Sequence, residues 1–251
     1  MTVTNPAPSP PLHTGSSGSR RLGVVTVAGL VLLVLFAFVF SPADAAQKDS
    51  VRIMYIHVPA AIVAYLAVMV TAVGSVFYLW KESEFGDLIA AASAELGALF
   101  VAINLFTGMM WGKPTWGAYW VWDARLTSTS LLFIMLLGYL AMRTSSPDPT
   151  VGSRRAAIVA LLAAINVPII HFSVDWWRSL HQSATVSRVD ATLDDQMLFS
   201  LFLGMIVFTM VYAWLLMHRF RVIWLERQLA ERGLDDAIAE RRAEAFQESR
   251  S

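Results

Sequence analysis

Six of the nine tryptophans and three of the five histidines stand in three short stretches of this 251-residue chain. The first stretch ends in Met54-Tyr-Ile-His57-Val-Pro59. The second is Trp111-Gly-Lys-Pro-Thr-Trp116-Gly-Ala-Tyr-Trp120-Val-Trp122-Asp123-Ala-Arg125. The third runs His171-Phe-Ser-Val-Asp175-Trp176-Trp177-Arg178-Ser-Leu-His181-Gln182. Neutral imidazole is a ligand for zinc, copper and iron. Zinc wants a third or fourth close ligand, and no local spacing supplies one. Two imidazoles beside large flat indoles suit the axial positions of haem iron, with the aromatic rings shielding the macrocycle. Glycines between the indoles permit close approach of the backbone. Arg125, Arg178, Lys113 and Arg52 are cations able to pair with carboxylates such as haem propionates, and Asp123 is expected to orient Arg125. His57 and His181 form the preferred metal-ligand pair. His171 is a rival on spacing alone.

Tryptophan also gathers at membrane interfaces for reasons unconnected with ligands. That preference accounts for Trp80 and Trp214. It accounts poorly for Trp111, Trp116, Trp120 and Trp122, which crowd with Tyr119 into twelve residues.

The elements that position these groups are apolar runs. Hydrophobic residues make up 56% of the chain and charged ones 15%, with a mean hydropathy of +0.55. A soluble surface needs about a quarter charged residues, so the composition reads as all-α integral membrane protein. A bilayer core takes roughly 20 apolar residues as helix. Six runs meet that need, at about 22–40, 58–80, 88–110, 126–142, 156–172 and 197–217. Residues 1–19, rich in Pro, Ser, Gly and Thr, read as a disordered leader. Residues 20–218 form the six-helix transmembrane unit, and 219–251 a charged cytoplasmic tail. Ser41-Pro-Ala-Asp-Ala-Ala resembles a signal-peptidase site, but the preceding run exceeds the 7–15 residues usual for a signal peptide. An uncleaved first helix is expected. Glu95, Asn104 and Asn166, the last with Pro168 nearby, should face protein or a cavity rather than lipid.

Orientation follows from the basic residues near span ends. With both termini inside, the inner segments carry Arg20, Arg21, Lys81, Arg143, Arg154, Arg155, Arg219, Arg221 and Arg227. The outer ones carry Lys48, Arg52, Lys113, Arg125, Arg178 and Arg188, so nine face six. This N-in, C-in arrangement puts all three His/Trp stretches on the outer side. Net charge is zero, which gives no reason to expect nucleic acid. The chain has no cysteine, which excludes disulfides and covalent haem attachment through C-x-x-C-H. It also lacks a phosphate-binding G-x-x-x-x-G-K-[ST] loop, so any ATP hydrolysis must come from another subunit.

Trp111 to Ser128 resembles the tryptophan-rich WWD signature of the haem-handling proteins of cytochrome c biogenesis. Tyr55-Ile-His57-Val-Pro-Ala-Ala61 and Asn166-Val-Pro-Ile-Ile-His171 through Trp176-Trp177-Arg178-Ser-Leu-His181-Gln resemble that family's two histidine segments. Length and span count are similar to the small haem exporter protein C (CcmC) branch, and the resemblance covers about residues 50–220. Thr129 stands where some members carry an acidic residue. The resemblance implies a bacterial inner-membrane protein that is not an enzyme. His57 and His181 would be axial ligands of a non-covalent b-type haem facing the periplasm. Trp111, Trp116, Trp120, Trp122, Trp176 and Trp177 would form the platform, with Asp123, Arg125 and Arg178 beside it. It further implies delivery of haem to the periplasmic chaperone CcmE, with the ABC-type subunits CcmA and CcmB and the small protein CcmD. Two other readings stay open: a bis-histidine electron-transfer cytochrome, and a permease subunit of an ABC transporter.

Overall fold

The structure, a computed structural model, describes residues 15–177, 179–181 and 193–248. Six helices account for most of them. α1 (Ser17–Val34) is capped by Ser16, whose hydroxyl accepts from the Ser19 N–H while Ser19 Oγ accepts from the Ser16 N–H. This reciprocal box satisfies two amides that a helix start otherwise leaves unpaired. α1 widens into a π-helical turn at Leu35–Phe40, and a 3-10 turn at Asp49–Ile53 leads into α2 (Met54–Lys81). Then come α3 (Glu84–Trp116), α4 (Ala124–Thr144), α5 (Pro149–Trp176) and α6 (Asp195–Glu248). Among the described residues, six helical spans are long and apolar enough to cross a membrane, and no element is a β-strand. The chain is therefore an all-α membrane protein.

Each helix outruns the apolar run that announces it. Apolarity measures the depth of the hydrocarbon, whereas a helix stops where its backbone is told to. α2 ends at Glu82, which takes a left-handed φ of 50°, and α3 ends at Gly117, with φ 80°. Asp123 and Asp148 cap α4 and α5, accepting from Leu126 N and Thr150 N. α2 starts before His57, so that residue lies in its first turn, and α3 carries Trp111 and Trp116 in its last turns. α6 continues without interruption across the whole described part of the tail. Residues 1–14 of the leader lie outside the described residues, while Ser17 to Ser19 already belong to α1.

Small residues set the packing distance. Without a water-driven hydrophobic term, membrane helices associate through close van der Waals contact, and Gly and Ala allow it. Ala60, Ala64, Ala67, Ala90, Ala94, Ala156, Ala160 and Ala163 are all buried in the main core. α2 and α3 meet backbone to backbone at Gly74 and Gly86, where a Cβ on either would lie 2.6 or 2.7 Å from the other's carbonyl oxygen. A second core joins α1, α2 and α6 through Leu33, Val51, Tyr55, Leu201 and Val207. There the Tyr55 hydroxyl hydrogen-bonds Ser41, anchoring the chain as it leaves α1.

The intramembrane polar residues all meet protein. Asn166 Nδ2 donates to the Ser128 carbonyl at 2.8 Å, and Glu95 pairs with Arg219, whose Nη2 lies 2.9 Å from Oε1. At the start of α3, Asp87 is buried between Arg143 of α4 and Arg227 of α6, with Nη2–Oδ2 distances of 3.0 and 2.7 Å. Removing two charges from water is favourable only when each is paired and hydrogen-bonded. This ionic clasp ties three helices together at the end of α3 opposite Trp111 and Trp116.

Candidate functional site

Asn104, Thr107, Gly108 and Trp111 follow the i, i+3, i+4, i+7 spacing of one helix face. On α3 that face receives His57. The Nδ1 of His57 lies 3.1 Å from Thr107 Oγ1. The Thr107 hydroxyl proton is already directed to the Ile103 carbonyl at 2.7 Å, so its oxygen accepts from Nδ1–H. Asn104 Nδ2 donates to the His57 carbonyl at 3.1 Å and stands 3.3 and 3.4 Å from the two ring nitrogens. Gly108 makes room for the ring, since a Cβ there would sit 3.1 Å from His57 Cε1. Trp111 meets the imidazole edge-on, with centroids 5.7 Å apart. Trp111 is held in turn from the α1–α2 connection, where Gln47 Oε1 accepts its indole N–H at 2.7 Å.

His181 lies beyond α5 and is oriented by Asp123. Its Nδ1 is 2.7 Å from Asp123 Oδ2, and the Ser179 hydroxyl donates to the same oxygen at 2.7 Å. The other oxygen, Oδ1, accepts the Leu126 N–H at 2.8 Å and so caps α4. Trp116 packs on the ring, centroid to centroid 4.6 Å. Burial pushes the Asp123 carboxyl up, but the Leu126 N–H, Ser179 and His181 outweigh it and hold it below its ordinary value. Burial also dominates at His181 and, with Arg125 acting in the same sense, outweighs the pull of Asp123 and keeps the imidazole below its ordinary value. A carboxylate thus faces a neutral imidazole that donates through Nδ1, leaving the Nε2 lone pair for a ligand.

The expectation that Asp123 orients Arg125 fails on geometry. Asp123 is the helix cap and Arg125 stands two residues on, and helix positions i and i+2 do not face each other. Arg125 Nη2 instead donates to the His171 carbonyl at 3.1 Å. It remains within electrostatic range of both His57 and His181. Its Nε and the Trp120 indole N–H are buried without a hydrogen-bond partner among the described residues. Both are donors, and an acidic ligand group would satisfy them.

The remaining predicted residues separate. Trp120 and Trp122 pack edge to face at 5.2 Å, and Trp176 and Trp177 at 5.7 Å. Trp122 is 79% exposed and Trp176 57%, so large apolar rings face outward from this end. The His171 ring packs on Phe172 at 4.9 Å. Lys113 donates to the Gly117 carbonyl at 3.1 Å and lies over Tyr119. Arg52 is engaged by the Phe38 carbonyl and by Asp49. Arg178 lies outside the described residues. Sequence reading missed Thr107, Ser179 and Gln47, and expected of Asn104 only that it face protein or a cavity. The helical spacing of 104, 107, 108 and 111 was the one available signal.

Comparison with known proteins finds relatives of the chain. Residues 7–234 match the family model described as "Heme exporter protein C". A protein of that name from Bradyrhizobium diazoefficiens is 41% identical over 197 residues, covering 77% of this chain and 75% of the relative. The Haemophilus influenzae protein of the same name is 39% identical over 215 residues, with 84% and 87% covered. A putative cytochrome c biosynthesis ccmC-like mitochondrial protein of Marchantia polymorpha is 41% identical over 163 residues, with 65% and 69% covered. This chain belongs to the heme exporter protein C family.

Proposed function

We propose that this chain holds haem b without a covalent bond, through axial imidazoles from His57 and His181, on the periplasmic face of a bacterial inner membrane. It then passes the haem to a CcmE-like periplasmic chaperone for cytochrome c maturation, in company with CcmA-, CcmB- and CcmD-like subunits. One observation carries the reading. Each of the two histidines has Nδ1 engaged by a neighbouring acceptor, which leaves Nε2 as the ligating nitrogen. The indoles of Trp111 and Trp116 pack against those two rings, and Trp120, Trp122, Trp176 and Trp177 extend the aromatic surface. Arg125 and the Trp120 N–H supply donors for propionates, with Arg178 as a further cation. The names of the relatives support haem as cargo, and the family supports a role in cytochrome c maturation. No bond in the cargo is made or broken by this chain; it binds, shields and releases.

An absorption spectrum of the purified protein, with and without reductant, tests the reading. The expected result is the sharp pair of visible bands of a low-spin, two-imidazole ferrous haem. His57→Ala and His181→Ala should each lose most of the bound haem. Full haem retention in both single variants would overturn the axial assignment.

A further inference from the structure

We infer that the two imidazoles are unequal ligands: Asp123 makes His181 the firm one, while the neutral Thr107 leaves His57 the one that lets go. This rests on the haem reading above and deepens it. Asp123 and Thr107 act through the histidines and are positioning residues.

The inequality is built from what each ring touches. Asp123 accepts from His181 Nδ1 at 2.7 Å and is itself fixed at two further points. Ser179 Oγ donates to Oδ2, Leu126 N to Oδ1, and Ser179 Oγ also accepts the His181 N–H at 3.1 Å. The Asp123 side chain is 6% exposed and that of His181 16%, so water screens the pair weakly. A hydrogen bond from Nδ1–H to an anionic oxygen pushes electron density toward Nε2 and strengthens its bond to a metal, the more so for ferric iron.

His57 has a neutral hydroxyl at 3.1 Å in the same position, which is a weaker and longer acceptor. Asn104 Nδ2 stands almost equally far from Nδ1 and Nε2, at 3.3 and 3.4 Å, so it lies over the ring face and supplies no acceptor for Nδ1–H. Release of haem requires at least one Fe–N bond to open, and the one at His57 has the poorer donor.

The test uses full-length protein loaded with haem, measuring its reduction potential and its rate of haem loss to apomyoglobin. Asp123→Asn keeps a good helix cap, because Asn caps as well as Asp. It should retain the two-imidazole spectrum, lose haem about tenfold faster, and show a potential about 60 mV higher, the equivalent of a tenfold loss of preference for ferric iron. Thr107→Val removes only a neutral acceptor from His57 Nδ1 and should shift both quantities several-fold less than Asp123→Asn. Asp148→Asn removes the same charge from the cap of α5 at the other end of the bundle, and should change neither quantity. An Asp123→Asn protein with wild-type potential and loss rate overturns the inference. So does an Asp148→Asn protein, or a Thr107→Val protein, that shifts as much as Asp123→Asn. A wild-type protein without a two-imidazole spectrum would instead overturn the underlying haem reading. Helical content measured on every variant separates misfolding from weakened ligation.

Discussion

Gln47 and Trp111 stand 64 positions apart in the chain and are joined by one hydrogen bond, indole N–H to side-chain carbonyl, 2.7 Å long. Through that bond the connection between α1 and α2 sets the angle of an indole that packs on His57. A neutral hydrogen bond of this kind is worth about 1 kcal/mol net. Gln47→Leu should therefore weaken haem retention about fivefold while leaving the two-imidazole spectrum intact. Titration of the apoprotein with haem checks both quantities.

Gln47 is itself held by Asp44, whose Oδ1 accepts the Gln47 N–H at 2.7 Å and the Ala46 N–H at 2.8 Å. Those bonds hold the Asp44 carboxyl below its ordinary value, the Gln47 N–H most strongly. A carboxyl lowered on folding stabilises the turn fully above its unfolded value of about 3.9, and the effect is lost as pH falls through the lower folded value. The emission difference between wild type and Trp111→Phe should thus stay level from pH 7 to about pH 4 and change only below it. In Asp44→Asn the acid step should shrink, because the part transmitted through Gln47 is lost.

Gly108→Ala sets two effects against each other. Alanine improves an exposed helix interior by about 1 kcal/mol over glycine. The new Cβ would press on His57 Cε1 from 3.1 Å, and the ring is kept from retreating by Thr107, Asn104 and Trp111. Haem affinity should fall about tenfold while the melting temperature of the apoprotein does not fall. A lowered melting temperature with unchanged affinity would contradict this account.

Asp87→Leu should act in the opposite way. It leaves Arg143 and Arg227 without their shared carboxylate, and an uncompensated buried charge costs about 3–5 kcal/mol. Thermal unfolding in detergent should shift well down. The spectrum of haem bound to the surviving folded protein should match wild type, because the clasp lies at the far end of α3.

The spans and the gathering of histidines and tryptophans were legible in the sequence because both depend on local pattern. Apolar runs fix which segments enter the bilayer, and alternation of the loops brings residues 57, 111–125 and 171–181 together at one end. What surrounds His57 was not legible. Thr107 and Asn104 lie 50 and 47 positions away, and only the rotation of α3 about its axis decides that they face α2. The misreading of Asp123 has a local cause. Its nearness to Arg125 in sequence suggested a pair, but capping α4 turns its carboxylate toward backbone amides and His181, while Arg125 leaves from another side. The helices extend past the apolar runs for a related reason, since Glu82 and Gly117 stop their helices by left-handed backbone rather than by polarity.

The tight crossing of α2 and α3 at Gly74 and Gly86 works like the rivet of a pair of shears. His57 lies 17 residues from Gly74, a blade of about 26 Å at 1.5 Å per residue. One degree of opening at the rivet swings the blade tip by about 0.4 Å, and a metal-ligand geometry tolerates only about 0.5 Å. Two glycines near one membrane surface therefore set the tolerance of a site at the other. A side chain as small as alanine at either rivet position would be amplified along the blade into a misplaced imidazole.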